Sequence, residues 1–336
     1  MLPDHVPCKN TMFTGDEMEN REMKARKGLR AIGNIFLITL FLTVAYLINN
    51  YFFTYSVIIS VLRGAALISM LVMAGSMVFA VGGIDFSTAG TCLMSSAIVY
   101  YLVETNTTGV FPAVLISVTA AYAVGLLNGL FVAKLNIHPI MVTLGTSVLT
   151  YGIAGAITGN ISIFDTCAEF EFFKASISFV PVSLILALAI MGICYVLFKF
   201  TIIGRQVFAV GGSEGSAQLS GLNVALIKIH TYSAAGLIAG IGGLMVLADS
   251  TMAARFFSGG AELEIIFAVI LGGVSLYSGA NIFFRACIGA GIIAVINRLI
   301  YGLFVFNYMR IIIVGIFFLI IIALKKNMFK GKNISD

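Results

Sequence analysis

Charge is scarce in this sequence: of 336 residues, 10% are Asp, Glu, Lys or Arg and 60% are hydrophobic. Soluble domains carry about 25% charged residues, so that class is excluded. Metal-ligand spacing is also missing. Cys8, Cys92, Cys167, Cys194 and Cys287 are scattered without a C-x-x-C pair, and His5, His138 and His230 are not grouped with them. Such cysteines read as small buried hydrophobes rather than ligands. No G-x-x-x-x-G-K-S/T occurs; the lone Gly-Lys, Gly331-Lys332, precedes Asn333 in the tail. A phosphate-cradling loop is therefore excluded, and neither enzyme activity nor a cofactor of its own is expected of this chain. No His/Asp/Ser constellation suggests an intramembrane enzyme. The first thirty residues are polar, so no cleavable signal peptide is visible. The net charge of +5 does not point to nucleic acid, because the excess lies largely near the ends of apolar segments.

What is present is a succession of apolar stretches near twenty residues long, enough to cross about 30 Å of hydrocarbon. The expectation is an all-α polytopic membrane protein, embedded in lipid, with about ten spans. They are read at about Gly33–Phe52, Val57–Phe79, Phe86–Val103, Val110–Ala133, Pro139–Thr158, Val182–Phe198, Ile229–Ala248, Leu263–Leu276, Phe283–Phe304 and Tyr308–Leu324. Gly82-Gly83 and Gly272-Gly273 break the pattern once in each half, and paired glycine-interrupted segments point to repeat architecture and a transport pathway. The 35 glycines suit helices that approach closely in lipid, as in Gly125–Gly129 and Gly236–Gly240.

Charge sets the orientation. Arg26, Lys27 and Arg30 precede the first span, and Lys134, Lys199, Arg205, Lys228, Arg285, Lys325, Lys326, Lys330 and Lys332 fall at the ends facing the same side. That side is the cytoplasm by the positive-inside rule, with both termini there; Arg255 is the main exception. The chain then divides into a cytoplasmic tail over residues 1–32, a membrane domain over 33–325 with a cytoplasmic loop over 200–228, and a second tail over 326–336.

The loop holds the most informative segment, Gly204–Val224, reading GRQVFAVGGSEGSAQLSGLNV. This polar island of about twenty residues is long for a connection. Ser213–Leu219 reads as a short helix with Ser213 as cap, Glu214 at the positive dipole end and Gly221 as its stop. Its expected use is as the place where a second protein pushes on the membrane part.

Few polar residues interrupt the spans. Asp85 follows Gly82-Gly83, either as a cap for a chain break or as a gating group; a mid-bilayer carboxylate costs about 2.5–3.5 kcal/mol. Asn128 and Asn297 serve either as interhelical glue or as solute ligands. Thr143, Thr146 and Ser147 either line a hydrophilic path or bond their own backbone. Glu262 and Glu264 open the eighth span at its expected outer end, suiting a helix start or an external partner. Arg63 and Arg298 are the other deep ionisable candidates, and with Asp85 they make no relay of the kind a proton- or sodium-driven carrier uses.

Four segments in order, Gly82–Ser87, Gly125–Thr146, Gly204–Val224 and Glu262–Leu276, carry a resemblance over roughly Tyr51–Leu324. The chain resembles the permease subunit of bacterial ATP-binding-cassette importers of the ribose/monosaccharide type. The resemblance implies ten spans in the bacterial inner membrane and a pairing of two permease subunits, either identical or different. It implies a cytoplasmic ATPase that holds ATP and Mg, and an extracytoplasmic binding protein that delivers sugar. It also makes Gly204–Val224 the ATPase-contacting loop, with Ser213, Glu214, Ala217, Gln218, Leu219, Ser220 and Gly221 at the contact. Asp85, Asn128, Thr143, Thr146 and Asn297 are the pathway or gating candidates. The sequence departs from the family where Ser-Gly-Gly-Arg-Gly usually follows the second Gly-Gly segment: it has Tyr277-Ser278-Gly279-Ala280-Asn281, and Arg285 comes four residues later. Related permeases serve nucleosides, autoinducers or branched-chain amino acids, so these solutes remain alternatives, as does an ion-coupled carrier.

Overall fold

The computed structural model describes residues 54–159, 168–248, 260–274, 279 and 281–302, with isolated positions 39, 43, 312, 315 and 316. The chain divides into two units, Met1–Tyr51 and Phe52–Asp336. Of the first unit only Thr39 and Thr43 are described, both helical, with Thr43 Oγ1 donating to the Thr39 carbonyl at 2.9 Å. The expected first span and both tails otherwise lie outside the described residues, as do Arg255 and all but isolated positions of the tenth span.

The second unit contains ten α-helices among the described residues. In order they are α1 (Tyr55–Ala80), α2 (Thr88–Glu104), α3 (Val110–Lys134), α4 (Pro139–Thr158), α5 (Val182–Phe200), α6 (Ile202–Gly212), α7 (Glu214–Leu219), α8 (Val224–Val246), α9 (Ala261–Leu271) and α10 (Ile282–Gly302). Six of them, α1, α3, α4, α5, α8 and α10, are long and apolar enough to cross a membrane. Between α4 and α5 lies a 3-10 turn, Ala168–Lys174, then a two-stranded antiparallel hairpin pairing Ser176 with Pro181 and Ile177 with Val180.

The helix ends follow local chemistry. Pro139 begins α4, where its missing N–H costs nothing. Asn223 caps α8 by accepting from the Leu226 N–H at 3.0 Å. The helices α1 and α9 end alike. Gly82 (φ 82°) and Gly273 (φ 69°) turn left-handed, and the next N–H reaches back five residues, Gly83 to the Val78 carbonyl at 3.0 Å and Val274 to Val269 at 3.2 Å. The weak sequence echo between the two Gly-Gly segments is therefore also a shared helix stop.

Packing is deepest around α1, whose stretch Ala66–Met73 contains Ala66, Met70, Leu71 and Val72 with no exposed surface. The outer helices keep bare apolar faces, with Phe111 79% and Val148 74% exposed. Such a surface needs lipid or another protein against it. The seam between α3 and α8 is built backbone to backbone. A Cβ added at Gly129 would lie 2.7 Å from the Ile229 Cα, and one at Gly240 would lie 2.6 Å from the Ala121 Cβ. At the end of the bundle where α2 finishes and α3 begins, Phe170 and Phe173 of the 3-10 turn are buried with Val99, Ala113 and Leu247. Arg63 of α1 reaches that end, donating to the Lys174 carbonyl rather than standing mid-span.

Two expectations are corrected. The polar island is not a single loop around one short helix: its first half is the helix α6, which folds sharply back at Thr201 with Gly204 pressed against the Phe198 backbone. The short eighth span is shorter still. With 11 residues α9 is about 16 Å long, roughly half the hydrocarbon thickness.

Gly129→Val should force α3 and α8 apart and cost about 1–3 kcal/mol. The check is thermal unfolding in detergent, where Gly145→Val, with nothing within 4 Å of its added Cβ, should leave the melting temperature nearly unchanged.

Candidate functional site

The helix α7 stands on the surface, fixed at both ends. Ser213 Oγ accepts from the Ser216 N–H at 3.3 Å, and Ser216 Oγ accepts from Ser213 at 3.0 Å. Gly221 (φ 81°) stops it, with the Leu222 N–H on the Ala217 carbonyl at 3.1 Å, the same stop that ends α1 and α9. Ser220 turns inward on its own helix, donating to the Ser216 carbonyl at 2.8 Å. Ala217 is buried beneath, Gln218 is exposed, and Leu219 is 92% exposed. Glu214 is not left facing outward alone: its carboxylate is ion-paired with Lys228 of α8.

The helix α6, which leads into α7, reaches the chain break. A Cβ at Gly211, the end of α6, would strike the Ala80 carbonyl at the end of α1. Beyond Ala80 the chain runs through Gly82-Gly83 to Asp85. There Asp85 Oδ1 accepts from the Ser87 N–H at 2.7 Å and from Ser87 Oγ at 2.6 Å. Asn128 of α3 donates to the same Ser87 Oγ at 2.9 Å, and Thr143 of α4 donates to the Ile84 carbonyl at 3.2 Å. Three of the sequence candidates thus meet at one break: Asp85 and Asn128 through Ser87 as a shared hub, and Thr143 through the Ile84 carbonyl. The Asn128 Oδ1 is buried and has no partner among the described residues. Thr146 stays out of this group, bonding the Val142 and Thr143 carbonyls of its own helix at 3.1 and 3.2 Å.

A second polar cluster lies one turn further along α4. Ser147 Oγ meets Glu262 Oε1 at 3.3 Å, and Asn297 of α10 donates to Glu264 Oε2 at 3.0 Å. Glu264 is 4% exposed. Ser147 lies about 12 Å into α4 at 1.5 Å per residue, so α9 starts well inside the helix bundle and its carboxylates do not stand at an outer end. Asn297 therefore pairs with a carboxylate from a neighbouring helix, a partner its sequence position did not reveal. The Ser87 hub had a signal, since Asp followed two residues later by Ser is a side-chain-to-backbone turn pattern. The pairings of Lys228 with Glu214 and of Asn297 with Glu264 had none, because each joins separate helices.

The comparisons meet this geometry. The family model for the permease component of the branched-chain amino acid transport system matches residues 57–322. The chain belongs to that family. Among its relatives is the D-allose transport system permease protein of Escherichia coli, 27% identical over 88% of this chain and 91% of the relative. The ribose import permease protein of Haemophilus influenzae is 29% identical over 81% of this chain and 85% of its own length. The galactofuranose transporter permease protein of Escherichia coli is 33% identical over 71% of this chain and 70% of its own length. The resemblance to permeases of the monosaccharide type thus holds over most of the chain, and as a family permease it is a membrane transport subunit.

In this permease, Ser87→Ala should leave the Asn128 amide and one Asp85 bond without a hydroxyl partner, a cost of about 1–3 kcal/mol. Thr146→Ala, which removes only bonds within one helix, should stay within about 0.5 kcal/mol. Thermal melting of the two variants in detergent, side by side, checks the contrast.

Proposed function

We infer that this chain is the membrane subunit of an ATP-driven importer for a sugar or sugar-like small solute. A separate cytoplasmic ATPase, holding ATP and Mg, hydrolyses the nucleotide. An extracytoplasmic binding protein hands over the solute, and a second permease subunit, the same or different, completes the pathway. The reading places the chain in a bacterial inner membrane with ten spans, a cytoplasmic loop over 200–228 and both termini in the cytoplasm. Its support as a sugar importer is the names of the relatives, which are permeases for allose, ribose and galactofuranose.

The observation that carries the mechanism is the placement of α7. It is a capped surface helix with an exposed Leu219 tip, bonded through Glu214 to α8 and continuous with an α6 whose end rests on Ala80. Gln218 and Leu219 offer the contact to the ATPase, while Ser213, Ser220 and Gly221 hold the helix in shape. Force on α7 passes along α6 into the break, where Asp85, Asn128 and Thr143 gate the path. Thr146 and Asn297 lie on the walls of the same path. Packed contacts of this kind move as rigid bodies, the basis of alternating access.

Ala217→Pro removes the bond from the Ala217 N–H to the Ser213 carbonyl at 3.0 Å and costs about 3 kcal/mol in a helix interior. It should abolish uptake and stimulated ATP hydrolysis in vesicles holding permease and ATPase, with the loaded binding protein supplied outside. Far-ultraviolet circular dichroism should show the spans intact. Glu214→Lys, which places two cations together, should act the same way. Normal uptake by either variant, or uptake by the permease alone on an ion gradient without ATP, overturns the reading.

A further inference from the structure

A cavity of about 300 Å³ lies between the base of α8, the α3–α4 connection, α7 and the chain break. Its volume is at the lower end of the range for small-molecule sites, about 300–1,000 Å³. Its polar lining is Glu214, Lys228, Asn136, His138 and Tyr232, with the Gly82-Gly83 backbone as one wall. Val132, Ile137 and Pro139 supply an apolar flank. Tyr232 is 1% exposed, yet its hydroxyl has no hydrogen-bond partner among the described residues. A buried hydroxyl is normally paired, and an orphan that lines a cavity points to something the cavity holds.

The chemistry of the lining selects the occupant. Lys228 is already neutralised by Glu214, so an anion finds no spare cation and meets a carboxylate. A neutral polyol fits better. Its hydroxyls donate to Glu214, accept from Lys228 and the Asn136 amide, and complete the Tyr232 hydroxyl, while its C–H face lies on Val132 and Ile137. We propose that this cavity is a second solute site, facing the cytoplasm, for a neutral monosaccharide. The proposal rests on the sugar-importer reading. The site adjoins both the α7 anchor and the Gly-Gly break, so a sugar held there fixes their spacing. Imported sugar accumulating inside then slows further import.

The test uses the permease with its ATPase, without the binding protein, and radiolabelled D-ribose, D-allose and D-galactose in equilibrium dialysis. One of these should bind, and Tyr232→Phe should weaken it by about fivefold, the value of one hydrogen bond. Asn136→Gly should weaken it similarly; Asn136 sits at φ 51°, which glycine adopts without strain. Inorganic phosphate should not compete. In vesicles supplied with the binding protein outside and preloaded with that sugar at its dissociation constant, initial uptake should fall to about half, and in Asn136→Gly vesicles it should fall less. Unchanged binding in both variants, competition by phosphate, or no binding of any of the three sugars overturns the second site. Uptake into sugar-free vesicles is scored separately, and its absence overturns the importer reading while the dialysis still decides the site.

Discussion

Helices in lipid gain little from hiding apolar surface, because the tails are as apolar as leucine. What holds this chain together is close approach, and it is closest where α3 meets α8. Gly125, Gly129, Gly236 and Gly240 leave no room for a Cβ on either side of that seam. Several of the polar side chains sit on these two helices. Asn128 lies between the two glycines of α3, and Tyr232 and Lys228 lie on α8 just before its own pair. A seam that fixed the two backbones at contact distance also fixes the polar side chains interleaved with it.

Against that fixed pair, α4 works as a spine for two polar clusters. Thr143 faces the chain break and Ser147, one turn on, faces the start of α9. Both clusters combine carboxylates with short hydroxyls and an amide: Asp85 accepts from Ser87, which in turn accepts from Asn128, while Ser147 bonds Glu262 and Asn297 donates to Glu264. A polar group in hydrocarbon is costly unless bonded, so each cluster also pins the helices that supply it. Two of the helices, α2 and α9, begin at these clusters.

Much of this was legible in the residues. Pro139, Val110 and Val182 start helices where hydropathy rises, and the glycine stops after α1 and α7 fall where Gly82 and Gly221 demand a left-handed turn. Composition and charge asymmetry placed the chain in the membrane class. The sequence misled where polarity and helix formation part company: α6 is amphipathic and surface-lying, so its polar residues disguised a helix as a loop. Glu262 and Glu264 misled differently. Acidic residues at a helix start suit the dipole at any depth, and only the bond from Ser147 to Glu262 reveals that this start is internal. Pairings across helices, such as Lys228 with Glu214, have no local signature because they depend on the packing itself.

Leu219 has a consequence for the life of the chain before assembly. It is a large apolar side chain at the tip of a six-residue helix, 92% exposed, and covering it is worth about 1.5–3 kcal/mol. A subunit on its own carries this leucine uncovered until something seats on it. Bare apolar surface of this kind favours sticking to whatever apolar surface is near, so a subunit whose tip is covered is also less prone to association with the wrong neighbour.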